Sequence, residues 1–142
     1  MTDKIFIDTN MLIYAHDLDA GRKQKTAAKL LKKIWNDGNG VISTQVLQEF
    51  YVNVTRKISS PLTPTEARSI IENYIVWSVQ QITPKSILSA SEIEDQHRIS
   101  FWDAMIISAA RSAGASQVIT EGMNHGQMIE GVLIRNPFFD SQ

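Results

Sequence analysis

The stretch that most limits what this chain can fold into is Lys4–Tyr14, KIFIDTNMLIY. Ile5, Phe6 and Ile7 make a short unbroken apolar run, the pattern of a strand buried on both faces rather than one. Such strands belong to parallel sheets covered by helices. Asp8 follows at once, and a carboxylate at the end of a buried strand is costly to leave without a partner. Thr9 and Asn10 are good residues for starting a helix, so the chain is expected to turn into helix here. In open α/β sheets ligands collect at the carboxyl ends of strands. Asp8 therefore stands either where chemistry would occur or as a simple helix cap.

The rest of the chain alternates in the same way. Ala15–Gly21 is polar and acidic and reads as a loop. Arg22–Asn36 reads as a helix, with Ala27, Ala28, Leu30, Leu31, Ile34 and Trp35 near one side and Gly38 and Gly40 ending it. Val41-Ile42 starts a second strand. Gln45–Lys57 is helical, with a stripe of Val46, Leu47, Phe50, Tyr51 and Val54. Glu49 lies opposite that stripe, in line with Gln45 and Asn53. Thr63-Pro64-Thr65-Glu66 opens a helix running to about Trp77, and Thr83-Pro84 opens another toward Arg98. Val79–Ile82 is a weak strand between them. Ser100-x-x-Asp103 opens the last long helix, which ends at Gly114. Gln117–Thr120 and Val132–Ile134 are the remaining strands. This alternation implies an α/β domain whose parallel sheet is covered on both faces. At 142 residues one domain, 1–142, is expected.

Composition narrows the function. Cysteine is absent, which excludes disulfide scaffolds, zinc–thiolate sites and cysteine nucleophiles, and agrees with a reducing cytoplasm. The formal net charge is −1, so a nucleic-acid partner would need a local basic patch. The start, MTDKIF, lacks the design of a signal peptide, and no run is long enough to span a membrane.

Four acids carry the chemistry. Asp8 and Glu121 each follow a strand. Asp103 shares a helix side with Ile106, Ile107 and Ala110, where a charge must be paired, protonated or bound to a cation; the competing reading is a capping box with Ser100. Glu49 alone would be an ordinary exposed glutamate. Each of the four begins or follows an element near one edge of the sheet. Carboxylates converging there repel one another unless a divalent cation joins them. Oxygen donors without histidine or cysteine suit Mg²⁺ or Mn²⁺. Such an ion can polarise a phosphate and activate water, so the implied reaction is phosphodiester hydrolysis.

Three segments, IFIDTNMLIYAHD, TQVLQEFYVNV and SFWDAMIISAARSAGA followed by VITEGMNHGQ, resemble the PIN domain and, within it, the VapC-type toxin ribonucleases of toxin–antitoxin modules. The resemblance spans essentially the whole chain. It implies a three-layer α/β/α sandwich with a central parallel sheet, and a Mg²⁺- or Mn²⁺-dependent endoribonuclease, often a homodimer, inhibited by a small antitoxin. Carried over, Asp8, Glu49 and Asp103 take the places of the first three family acids, and Thr9, Asn10 and Thr120 those of supporting polar residues. The fourth place departs from the pattern. The family usually reads Thr-x-Asp, whereas this chain has Thr120-Glu121-Gly122. Glu121 could swing in, Asn124 could help, or three acids could serve one ion. A catalytically impaired scaffold that binds RNA or a partner protein is the alternative.

Arg22, Lys23, Lys25 and Lys29, with Lys32 and Lys33, concentrate positive charge on one helix and are candidate RNA contacts or an ordinary solvated face. Arg56 and Lys57 are further candidates. His16, His97 and His125 lack metal-ligand spacing. A phosphoacceptor domain would also place an aspartate at a strand end, but two of the acids here sit on helices.

Overall fold

The computed structural model describes residues 3–139. The elements are β1 (Ile5–Ile7), α1 (Thr9–His16), α2 (Arg22–Asp37), β2 (Gly40–Ser43), α3 (Thr44–Arg56), α4 (Pro64–Tyr74), β3 (Ser78–Gln80), α5 (Pro84–His97), α6 (Phe101–Ser112), β4 (Gln117–Ile119), β5 (Met128–Ile129) and β6 (Val132–Arg135). The strand order is β3-β2-β1-β4-β6-β5. β1 pairs in parallel with β2 on one side and β4 on the other, with Phe6 opposite Val41 and Val118. Phe6, Ile7, Ile42, Val118 and Ile119 are buried, as the apolar runs require of a sheet covered on both faces.

The chain leaves β1 toward β2 and β3, then returns across β1 to β4. Right-handed crossovers therefore place α1 to α4 on one face and α5 with α6 on the other. The contacts agree: α1 packs on α2 and α3, α3 on α4, and α5 on α6. The result is the three-layer α/β/α architecture. Because the direction of winding reverses between β1 and β4, a crevice opens beyond their carboxyl ends.

The local signals act as expected at the helix starts. Thr63 and Thr83 each form a capping box followed by proline. The sheet differs from a purely parallel one at one margin. β5 runs antiparallel to β6, with Ile129 opposite Val132, through a two-residue turn at Glu130-Gly131. Both turn residues have positive φ, 51° and 79°, the mirror-image turn that matches strand twist. α1 extends through His16, into the stretch read as loop, because Ala15 and Tyr14 pack against the core. β3 lies two residues short of Ile82 and begins one residue early, in register with Val41–Ser43.

Candidate active site

The crevice beyond β1 and β4 is built from the ends of four elements. Asp8 is the N-cap of α1: its Oδ1 accepts from Thr9 N at 2.7 Å. Its Oδ2 accepts from Thr120 Oγ1 at 2.8 Å, a bond that joins the end of β1 to the end of β4. Thr120 Oγ1 in turn accepts from Gly122 N at 3.0 Å and from Asn10 Nδ2 at 3.3 Å. Asn10 Oδ1 accepts from Glu121 N at 3.3 Å. Asp8 thus caps the helix with one oxygen, while its carboxyl also lines an open cleft.

That cleft, about 310 Å³, is lined by Asp8, Asn10, Glu49 and Asp103 together with Gln45, Asn53 and Trp102, and by Thr9, Ile13, Ile106 and Gly122. Glu49 comes from the polar side of α3. Gln45 Nε2, one turn earlier, donates to Glu49 Oε1 at 2.8 Å and reaches the Trp102 carbonyl oxygen at 3.5 Å, which ties α3 to the start of α6. Asp103 enters from the first turn of α6, where the Ser100 hydroxyl accepts from its backbone N at 3.0 Å.

Three carboxyl groups therefore share one cleft whose lining contains no lysine or arginine. Burial pushes Asp8 up from 3.8 to about 6, with the hydrogen bonds from Thr120 and Thr9 opposing and the nearby charges of Glu49 and Asp103 reinforcing the rise. Burial likewise raises Asp103, against the Ser100 hydroxyl. The electrostatic demand is for a cation, and the donors are all oxygen. Among the described residues, no group of three acidic or imidazole side chains is placed so that together they could hold a metal ion. The fit to a hard divalent ion is thus one of donor chemistry and charge, with part of the coordination left to water, as Mg²⁺ commonly keeps it. The Thr9 hydroxyl is a buried oxygen without a hydrogen-bond partner at the same cleft.

Glu121 is the one acid of the four that the structure does not bring into this lining. Its Oε1 accepts from the Tyr14 hydroxyl at 2.5 Å, and its Oε2 lies 2.5 Å from Lys23 Nζ. Burial pushes Glu121 up, but the hydrogen bonds from Lys23 and Tyr14 outweigh it, and the net direction is down. Lys23 also sits over the Tyr14 and Phe138 rings. Gly122 lines the cleft instead, and Asn124 is exposed outside that lining.

The other sequence candidates divide. Thr9, Asn10 and Thr120 surround Asp8. Arg22, Lys25 and Lys29 are exposed on α2, and Lys33 pairs with Asp37 at 2.8 Å. His16 is bound to the Tyr74 hydroxyl at 2.9 Å, away from the acids. Sequence reasoning did not single out Trp102 or Tyr14. The alignment of Gln45 and Asn53 with Glu49 was the one signal for the helical side of the cleft.

A family model for the PIN domain matches residues 5–127. Solved structures share the fold. VapC20 of Mycobacterium tuberculosis, described as a sarcin–ricin-loop-cleaving toxin, is 21% identical with a TM-score of 0.63, covering 81% of this chain and 87% of that one. A toxin–antitoxin complex from Klebsiella pneumoniae is 19% identical with a TM-score of 0.69, covering 94% and 98%. DNA-bound VapBC of Salmonella typhimurium is 19% identical with a TM-score of 0.66, covering 96% and 99%. No curated protein matches this sequence.

Proposed function

This chain belongs to the PIN domain family, and from that premise we propose that it is a Mg²⁺- or Mn²⁺-dependent endoribonuclease, the toxin of a toxin–antitoxin pair. The observation that carries the reading is the convergence of Asp8, Glu49 and Asp103 on one cleft without a neutralising side chain. These three would serve as ligands of the ion partly through water, since they are not placed to hold an ion together directly. Once bound, the ion would supply the charge that polarises a phosphate oxygen and eases loss of a proton from the attacking water.

The protein's own share is positioning. Thr120 and Thr9 N fix both oxygens of Asp8, so the carboxylate presents one orientation. Gln45 holds Glu49 from α3 and reaches α6, which keeps the opposed walls in register. The burial of Asp8 raises its pKa, so a bound cation would favour its ionised form.

On the same reading a small antitoxin protein and a second copy of this chain are its partners, and the cytoplasm is its compartment. Two of the similar structures are toxin complexes, one bound to DNA. No helix among the described residues is long and apolar enough to cross a membrane.

The test is cleavage of a mixed RNA pool by the purified chain with Mg²⁺ or Mn²⁺, against a chelated control. Metal-dependent internal cuts that vanish in Asp8→Asn and Asp103→Asn support the reading. RNA bound but never cut, with either metal, supports the non-catalytic scaffold instead.

A further inference from the structure

Trp102 is the most exposed phenylalanine, tyrosine or tryptophan side chain among the described residues. It is 66% exposed, immediately precedes Asp103 at the start of α6, and lines the acidic cleft. The other two tryptophans have a packing role: Trp35 and Trp77 lie 5.6 Å apart, and Trp77 packs on Tyr74 at 5.1 Å. Trp102 touches Phe101 edge-to-face at 5.3 Å, which anchors the indole on one side and leaves most of its surface open. An indole so exposed presents an open aromatic face on which a planar group can stack.

Its placement is rigid with respect to the acids. The Trp102 carbonyl oxygen meets Gln45 Nε2, and the same nitrogen donates to Glu49 Oε1. The indole therefore sits on backbone that is tied to two walls of the cleft. The cleft itself has three carboxyl groups and no cationic side chain, so apart from a bound ion its lining offers the phosphates no charge partner. Stacking is a contact its side chains can add: a nucleobase face binds an aromatic ring without regard to charge and with little regard to sequence.

We propose that Trp102 is the stacking platform for the nucleobase next to the phosphate that is cut, so that it positions single-stranded RNA over Asp103. This rests on the nuclease reading above. It adds a requirement that reading lacks: the base flanking the cut must be unpaired.

The experiment uses the full chain carrying Asp8→Asn, with Mg²⁺ and short single-stranded RNAs, each carrying one 2-aminopurine at a different position along the strand. Binding should quench one or two of those positions. Adding Trp102→Ala should weaken binding about five- to hundredfold and abolish the quench. Trp102→Phe should restore most of the affinity. An abasic nucleotide at the quenched position should weaken binding to the Trp102 protein and leave the Trp102→Ala protein unchanged. Equal affinity with Trp102 or alanine would overturn the proposal and spare the nuclease reading. So would an affinity loss that tracks dissociation of a dimer in sedimentation, which would make Trp102 a contact between copies of this chain. No RNA binding with Trp102 intact would also overturn the stacking proposal, and RNA cleavage by the Asp8→Asn protein would overturn the nuclease reading itself.

Discussion

Lys23 Nζ lies 2.5 Å from Glu121 Oε2, so the first turn of α2 is clamped to the residue that follows Thr120. The pair, with the Tyr14 hydroxyl, spends the carboxylate of Glu121 on structure. Glu121→Gln should therefore change Mn²⁺ affinity by less than about twofold while costing about 1–2 kcal/mol of stability, since the pair is partly solvated. Calorimetric Mn²⁺ titration beside thermal melts checks both, with Asp103→Asn as the variant that loses binding.

Gly122 offers the converse change. A Cβ built there would meet Thr120 Oγ1 at 3.7 Å and Asn10 Nδ2 at 3.8 Å, ordinary contacts, in the wall of the cleft. Gly122→Asp should fold normally and raise Mn²⁺ affinity or the number of ions bound. A titration isotherm unchanged from the parent protein would show that the cleft does not hold the metal.

The raised Asp8 carboxyl gives the metal-free protein a specific pH response. Its value is 3.8 before burial and about 6 after, so between these the folded protein keeps a proton that the unfolded chain has released. Its contribution to stability is full below about pH 4, is lost as pH rises through about 6, and is then a constant penalty. Over that range the stability of the parent relative to Asp8→Asn should fall by about 3 kcal/mol, from 1.36 kcal/mol per pH unit. Chemical denaturation of both proteins at pH 4 and pH 7.5 in chelator measures it. Mn²⁺ should return much of the loss to the parent at the higher pH and none to the variant.

Gly40 tests the fold away from the acids. A Cβ there would lie 2.7 Å from the Trp77 indole, inside any permitted contact. Gly40→Ala should cost about 1–3 kcal/mol by forcing that ring outward. A lowered melting temperature with altered tryptophan fluorescence, and an unchanged Mn²⁺ titration, is the expected result.

The layers and most elements were legible because strand and helix periods are strong in this chain and because Thr63, Thr83 and Ser100 announce helix starts. Asp8, Glu49 and Asp103 could be placed near one edge for the same reason: each sits at a known point on a periodic element. Glu121 reads into the same group by sequence but lies outside the cleft lining, since it sits in irregular chain just past a strand, where neighbouring residues point in unrelated directions. Its direction is set by Lys23, about a hundred residues away in sequence. β5 escaped because two residues have no period to read, and its turn uses Glu130 where glycine or asparagine would have signalled a hairpin. Trp102 escaped because exposure is a property of packing, and an aromatic at a helix start ordinarily faces the core.

The shortness of the outermost strands shapes how copies of this molecule can meet. β5 has two residues and β3 has three, so an incoming strand would find only a rung or two of free amide and carbonyl groups at either margin. Edge-to-edge growth into ribbons is thereby starved of the backbone ladder it depends on. Any self-association of this chain is left to side chains on its helical flanks, where it can be tuned by substitution without disturbing the sheet that carries Asp8.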